Sequence, residues 1–171
     1  GAVSVDYPAG AVGFTDLDDG MSSVPLHAQE FRLWLGGNAT GALGGWIVQK
    51  SGDDLTPGSN WTFSGHFQEW LLDKAIVGPQ PKSTANDKAE LRFAGATAGL
   101  ILGTVMDQAQ SRGALPLVTR DFTSSTDSNG VAWVNSISSF NLAPGTTLLQ
   151  VADKLVELGM AEFELTAARV W

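Results

Sequence analysis

Two histidines, His27 and His66, are the side chains best suited to acid–base catalysis or metal ligation in this sequence. Neither belongs to a recognised catalytic or metal-binding motif. A serine nucleophile would need a sharp turn such as G-x-S-x-G, which the chain lacks, and the glycine patterns that cradle phosphates are also missing. There is no cysteine to serve as a nucleophile or thiolate ligand. We therefore predict no catalytic residue, no cofactor and no metal site, and we expect the chain not to be an enzyme.

Acidic residues offer two further kinds of chemistry. Any two of the 18 carboxylates could meet in the fold as a glycosidase pair, and the sequence singles out none of them. Residues 16–20 have the sequence Asp-Leu-Asp-Asp-Gly, which invites a calcium interpretation. The helix–loop–helix calcium site needs ligands at alternate positions and a distal glutamate, and this run does not have that spacing. We favour a solvated acidic turn.

Tryptophan is the most distinctive residue type for binding. The six tryptophans are Trp34, Trp46, Trp61, Trp70, Trp133 and Trp171. Exposed in a row, Trp34, Trp46 and Trp61 could stack on sugar rings or form a subunit interface. The alternative, which we favour, is that the tryptophans fill the core and subunit contacts, where the single indole N–H is easily satisfied.

The charge balance argues against nucleic-acid and membrane partners. The chain has 10 basic and 18 acidic residues, a net charge of −8, and its basic residues form no cluster. Nucleic-acid binding depends on such clusters for phosphate contacts. The longest apolar run, residues 98–106, is too short and too rich in glycine to cross a bilayer. We predict no direct nucleic-acid binding and no membrane insertion.

Alternation of apolar and polar residues predicts short strands in the first third of the chain. Residues 31–35, 46–48 and 61–63 have this pattern and are separated by glycine-rich turns. Together they predict a β-meander. Residues 1–25 are punctuated by proline and glycine, which predicts turns.

Helical spacing of apolar residues predicts three helices. The first begins after Ser64 as N-cap and ends at Gly78, before a polar loop at 80–88 that we expect to be the most flexible segment. The third begins near Thr146 and closes at Gly159.

The second predicted helix runs from about Thr97, as N-cap, to Arg112, with Gly113 as the C-terminal cap. Gly99 and Gly103 lie within it and should weaken it by about 1 kcal/mol each relative to alanine. We therefore expect these two glycines to allow close packing against a sheet or another helix.

Further strands are predicted at 91–93, 117–122, 131–134 and 162–171, with a tight turn at 127–130 between two of them. The whole pattern predicts an α+β fold, an antiparallel or mixed β-sheet with about three flanking helices. Residues 1–171 would form a single α+β domain, which divides at most into a β-rich region, residues 1–63, and an α/β region, residues 64–171.

Four segments occur in a characteristic order: WTFSGHFQEWLLDKAIV, LRFAGATAGLILGTVMDQAQSRGALP, DFTSSTDSNGVAW and PGTTLLQVADKLVELGMAEFEL. In this order the chain resembles minor tail proteins, similar to tail-tip or baseplate hubs, of siphophages that infect mycobacteria and related actinobacteria. The resemblance covers about residues 60–171 and, more loosely, the N-terminal strands. Family members are usually much longer. Because the chain also opens with Gly1 rather than Met, we expect it to be a piece of a longer polypeptide.

The resemblance implies a structural component of a phage tail tip or baseplate that forms subunit interfaces in the virion. It implies other phage tail proteins as partners, a homo-oligomer such as a trimer in the full-length protein, synthesis in the cytoplasm of the bacterial host and a final place at the tail tip. The alternative is a carbohydrate- or receptor-binding module that uses exposed tryptophans. A third hypothesis, a cell-wall hydrolase, lacks a recognisable set of catalytic residues.

Overall fold

The computed structural model describes residues 2–8, 29–34, 42–51, 60–165 and 170. It describes the side chains of Ser4, of residues 62–165 and of Val170, and elsewhere the backbone alone. The elements in chain order are β1 Ala2–Pro8, β2 Gln29–Trp34, β3 Ala42–Ser51, β4 Asn60–Phe67, α1 Trp70–Asp73, β5 Leu91–Phe93, α2 Ala98–Ser111, β6 Phe140–Leu142 and α3 Leu148–Glu157.

Every pair of described strands is antiparallel, and the chain combines these strands with helices, so the predicted α+β class is confirmed. The described residues fall into two compact units, one ending at Gln68 and one running from Glu69 to Leu165. The first unit is a sheet. The second contains the three described helices and a two-stranded ladder.

The sheet of the first unit has the strand order β1-β4-β3-β2, and every pair in it is antiparallel. Successive strands β2, β3 and β4 are neighbours, as in the predicted meander. The register between β3 and β4 shifts between Ile47 and Gln49. Strand β1, in a region for which the sequence predicted turns, pairs with the other edge of β4.

The prediction that a helix starts after Ser64 is wrong. Ser64 lies inside β4, where it pairs with Ser4 on one side and with Gln49 on the other. Pairing on both edges holds the backbone extended as far as His66, and Phe67 still pairs with Gly45 of β3, whatever the local helical spacing favours. What remains of the predicted helix is the single turn of α1.

Helices α2 and α3 form most of the core of the second unit, and both predicted positions are confirmed. Helix α2 has Thr97 as its N-cap and Gly113, with φ of +84°, just past its end. The N-cap of helix α3 is Thr147, one residue after the predicted Thr146, and it forms a capping box with Gln150. The buried apolar face of α3 consists of Leu148, Val151, Ala152 and Leu155.

Strands β5 and β6 form a two-stranded antiparallel ladder. Beyond β5 the same register continues to Ala96, which pairs with Ile137 and exchanges both backbone hydrogen bonds with it. Gly95, with φ of +61°, lies between the two paired stretches. The sequence predicted β5 but not β6.

Residues 117–122 and 131–134 are not strands, contrary to the sequence prediction. They belong to a long loop with isolated bridges, such as Thr126 with Ala132. Hydroxyl and carboxylate side chains in this loop bond its backbone locally, which competes with strand pairing. Residues 162–165 are not in a strand either.

The remaining predictions concern less regular segments of the chain. Residues 80–88 contain no helix or strand and are mostly exposed. The acidic run 16–20, His27, and the predicted strand residues 166–169 and 171 lie outside the described residues.

Candidate functional site

The most distinctive feature of the second unit is the covering loop, residues 113–139, which connects α2 to β6 and lies along one face of α2. Thr97, the N-cap of α2, holds the covering loop at Ser124 by a hydrogen bond. The Thr97 hydroxyl accepts a hydrogen bond from the Leu100 amide at 3.2 Å and donates one to the Ser124 carbonyl at 2.8 Å. One side chain therefore caps the helix and holds the loop.

Gly99, two residues further on, is where the covering loop comes closest to the helix. A Cβ atom on Gly99 would collide with the carbonyl oxygen of Thr123 and with the indole nitrogen of Trp133, and would lie 2.7 Å from Cε2 of the same ring. The indole nitrogen itself donates to the Thr123 carbonyl at 2.9 Å. The ring packs edge-on against buried Phe122, with centroids 6.5 Å apart. Trp133 thus anchors the loop on the helix, and only glycine leaves room for it.

A second contact between the covering loop and α2 lies one turn further along the helix, at Gly103. The Arg120 guanidinium donates to the Gly103 carbonyl at 2.9 Å and to the two carboxylate oxygens of Asp107 at 2.7 and 3.1 Å. Gly99, Gly103 and Asp107 are spaced four residues apart, so they form one stripe along the helix. The sequence prediction that the two glycines allow close packing is confirmed, but their partner is a loop rather than a sheet or helix.

The turns of the covering loop are held by their own side chains. The Thr123 hydroxyl accepts from the amides of Ser125 and Thr126. The Oδ1 atom of Asp127 accepts from the amides of Asn129 at 2.9 Å and Val131 at 2.8 Å. The predicted tight turn at 127–130 is therefore confirmed, although no strands flank it.

This anchored loop exposes apolar side chains. Val131 is 58% exposed and Val134 is 91% exposed, and they flank the partly buried Trp133. We call Val131 and Val134 the apolar tip. Leu117, 64% exposed, lies elsewhere in the covering loop. Loops positioned by a rigid scaffold carry a large share of the binding residues of proteins, which makes the apolar tip a candidate contact surface.

The tryptophans named from the sequence as binding candidates lie in the sheet of the first unit. Trp34 is paired with Ala42, Trp46 with both Glu30 and His66, and Trp61 with Tyr7. The pleat puts positions 34 and 46 in one set of alternating residues and position 61 in the other. The side chains of these three tryptophans lie outside what the structure describes, so their role stays a prediction.

Trp70 and Trp133 are the two tryptophans whose side chains the structure describes, and both are partly buried. Trp133 packs on the core as described above, and the Nζ atom of Lys74 lies 4.7 Å from the centroid of the Trp70 ring. His66 belongs to β4 rather than to the start of a helix.

Among the residues that the structure describes, no three histidine, aspartate or glutamate side chains come together as a metal site. No helix within the described ranges is long and apolar enough to span a membrane. Comparison with known proteins finds no protein-family model and no curated protein that matches this chain.

The covering loop is the functional candidate that the sequence predictions missed. The sequence pattern predicts strands in this region because Leu117 and residues 131–134 are apolar or β-branched. The signal that could have identified it is the four-residue spacing of Gly99 and Gly103 in a helix, which requires something to lie close against that face.

Proposed function

We propose that this chain is a structural component of a phage tail tip or baseplate, and that the apolar tip of its covering loop forms one of its subunit contacts. The first half of the proposal rests on the resemblance of four ordered segments to siphophage minor tail proteins. Helix α2 lies within one of those segments, residues 121–133 of the covering loop form another, and α3 lies within a third.

The observation that carries the second half is the exposure of Val134, at 91%, beside the anchored Trp133. Burying a valine side chain stabilises an assembly by roughly 1.5–3 kcal/mol. Because Trp133, Arg120 and Thr97 already hold the loop in place, little conformational entropy is lost when a partner binds. An exposed apolar side chain on a pre-ordered loop is therefore a favourable contact point for a neighbouring subunit.

The experiment is site-specific photo-cross-linking in purified phage particles that contain the full-length protein. A photoreactive phenylalanine derivative replaces Val134 in one variant and Lys82 in the control. Lys82 is also exposed but lies in the polar loop at 80–88. After irradiation, mass spectrometry identifies the cross-linked peptides.

We expect the Val134 probe to cross-link to another tail protein or to a second copy of this chain, and the Lys82 probe to yield far fewer products. If the protein is missing from the particles, the tail-tip assignment fails. If the protein is present and only the Lys82 probe cross-links, the apolar tip is not a subunit contact.

A carbohydrate- or receptor-binding module is the second candidate. The observation that favours it is the pairing of β2 with β3. In this pairing, positions 34 and 46 belong to the same set of alternate residues on neighbouring strands. A glycan array with the purified chain tests this function. Binding that is lost in the Trp34→Ala and Trp46→Ala variants, and kept in Trp61→Ala, would support it, and no binding to any glycan would contradict it.

A further inference from the structure

The tight turn at 127–130, within the covering loop, contains the dipeptide Asn129–Gly130, whose two residues are both exposed. The Asn129 side chain makes no hydrogen bond with the described residues. Gly130 has φ of +77°, and no atom lies within 4 Å of the place where a Cβ would stand. An amide side chain that no described residue holds by a hydrogen bond therefore precedes a residue with no side chain to shield its backbone nitrogen.

We propose that Asn129 is a site of spontaneous deamidation, with water as the only co-reactant. The Gly130 nitrogen loses its proton to a solvent base and attacks Cγ of Asn129. The Cγ–N bond breaks and the side-chain nitrogen leaves as ammonia, which yields a five-membered succinimide. Water then adds to one of the two ring carbonyls, and the ring opens to aspartate or to isoaspartate. No atom is oxidised or reduced.

The other asparagines of the second unit are less suited to this reaction. The Asn86 side chain is held in place, because its Nδ2 donates to the Glu90 carbonyl at 2.9 Å and its Oδ1 accepts from the Glu90 amide at 3.0 Å. Asn135 and Asn141 are exposed, but they precede Ser136 and Leu142, whose Cβ atoms hinder the following nitrogen. These three residues serve as internal controls within the same molecule.

Asp127 restrains the reaction. Its carbonyl oxygen accepts a hydrogen bond from the Gly130 amide at 3.0 Å, and its Oδ1 atom holds the Asn129 amide at 2.9 Å. The Gly130 nitrogen is free to attack only when this turn opens. The rate of deamidation at Asn129 therefore reports how often the turn opens.

The product would change the surface beside the apolar tip. Aspartate at position 129 adds a negative charge close to the Asp127 carboxylate, and isoaspartate also adds a methylene to the backbone of the turn. Either change weakens the hydrogen bonds from Asn129 and Val131 to Asp127 that shape the turn. This modification is independent of whether the chain belongs to a phage tail.

The experiment follows the purified full chain during incubation at mildly alkaline pH and warm temperature. Peptide mapping by mass spectrometry measures conversion at Asn129, Asn86, Asn135 and Asn141, and an isoaspartate methylation assay detects the rearranged product. We expect conversion at Asn129 to be several times faster than at any of the other three residues. We expect Asn129→Gln to abolish the isoaspartate signal from that peptide.

The variant Asp127→Ala tests the restraint, and we expect it to raise the conversion rate at Asn129 several-fold. Circular dichroism checks that each variant remains folded. Conversion at Asn129 that is no faster than at Asn135 and Asn141 would overturn the proposed site. An unchanged rate in Asp127→Ala would overturn the role given to the turn.

Discussion

Trp133 packs directly on Gly99, with its indole nitrogen and Cε2 atom in the space that any larger residue at position 99 would need. This contact joins helix α2 to a loop that follows it in the chain, and it fixes how the covering loop presents the apolar tip. The stability and function of the loop should therefore depend on the size of residue 99.

We expect Gly99→Ala to lower the free energy of unfolding by about 1–3 kcal/mol, because the new methyl group meets a backbone carbonyl that cannot easily move. This range is the net loss, after the gain in helix propensity, at most about 1 kcal/mol, has been subtracted from the cost of the clash. Equilibrium urea unfolding measures the change.

Gly103→Ala is the matched control for that experiment. A Cβ at position 103 would meet the flexible end of the Arg120 side chain at 3.2 Å. A shift of a few tenths of an ångström relieves this contact, so the gain in helix propensity of about 1 kcal/mol should leave stability unchanged or slightly raised. Equal losses of unfolding free energy in the two alanine variants would contradict the expectation that the Thr123 carbonyl and Trp133 ring resist a methyl group more than the Arg120 side chain does.

Thr97 should matter more than an ordinary helix cap. Thr97→Ala removes both the cap, worth about 1 kcal/mol, and the bond to the Ser124 carbonyl. Thr97→Ser keeps both. We expect the alanine variant to increase hydrogen exchange at the Thr123 and Thr126 amides as well as in the first turn of α2, and the serine variant to resemble the parent protein. Faster exchange confined to the helix would argue that Thr97 does not hold the loop.

The Arg120–Asp107 pair should contribute little as a charge pair. The two side chains are 32% and 60% exposed, so the ion pair itself is worth less than about 1 kcal/mol and weakens with added salt. We expect Arg120→Met to cost more than Asp107→Asn, because only the arginine also bonds the Gly103 carbonyl. Urea unfolding at low and high salt measures the free energy of unfolding of the two variants. Equal losses of stability in both would show that the hydrogen bond to the Gly103 carbonyl is unimportant.

Val134→Asp should separate assembly from folding. At 91% exposure Val134 contributes little to the core, so we expect a change in the free energy of unfolding within about 0.5 kcal/mol. If the proposed tail-tip role holds and the apolar tip is a subunit contact, the variant should be incorporated into phage particles less efficiently than the parent. Val156→Asp, at a 41% exposed position on α3, is the control. Normal incorporation of Val134→Asp would argue against the tip as an interface.

Local signals in the sequence were sufficient for helices α2 and α3 and for the turn at Asp127. Thr97, Gly113 and Gly159 act on atoms within a few residues of themselves, so their types and spacing predict helix ends without knowledge of the fold. The predicted α+β class follows from the same local patterns.

Partners distant in the chain decided the rest. Ser64 is extended because it pairs with Ser4 and Gln49, and no helical spacing near Ser64 reports those partners. Residues 131–134 look like a strand, yet they belong to a loop because Trp133 packs on Gly99.

The sequence by itself determined the ends of α2 and α3, the tight turn and the acidic charge, because each depends on residue type and on neighbours along the chain. Only the tertiary structure decided that a loop, rather than a sheet or another helix, packs on the glycine face of α2, and that Val131 and Val134 of this loop remain exposed. Exposure depends on which distant segments pack together, and single-residue preferences do not encode that choice.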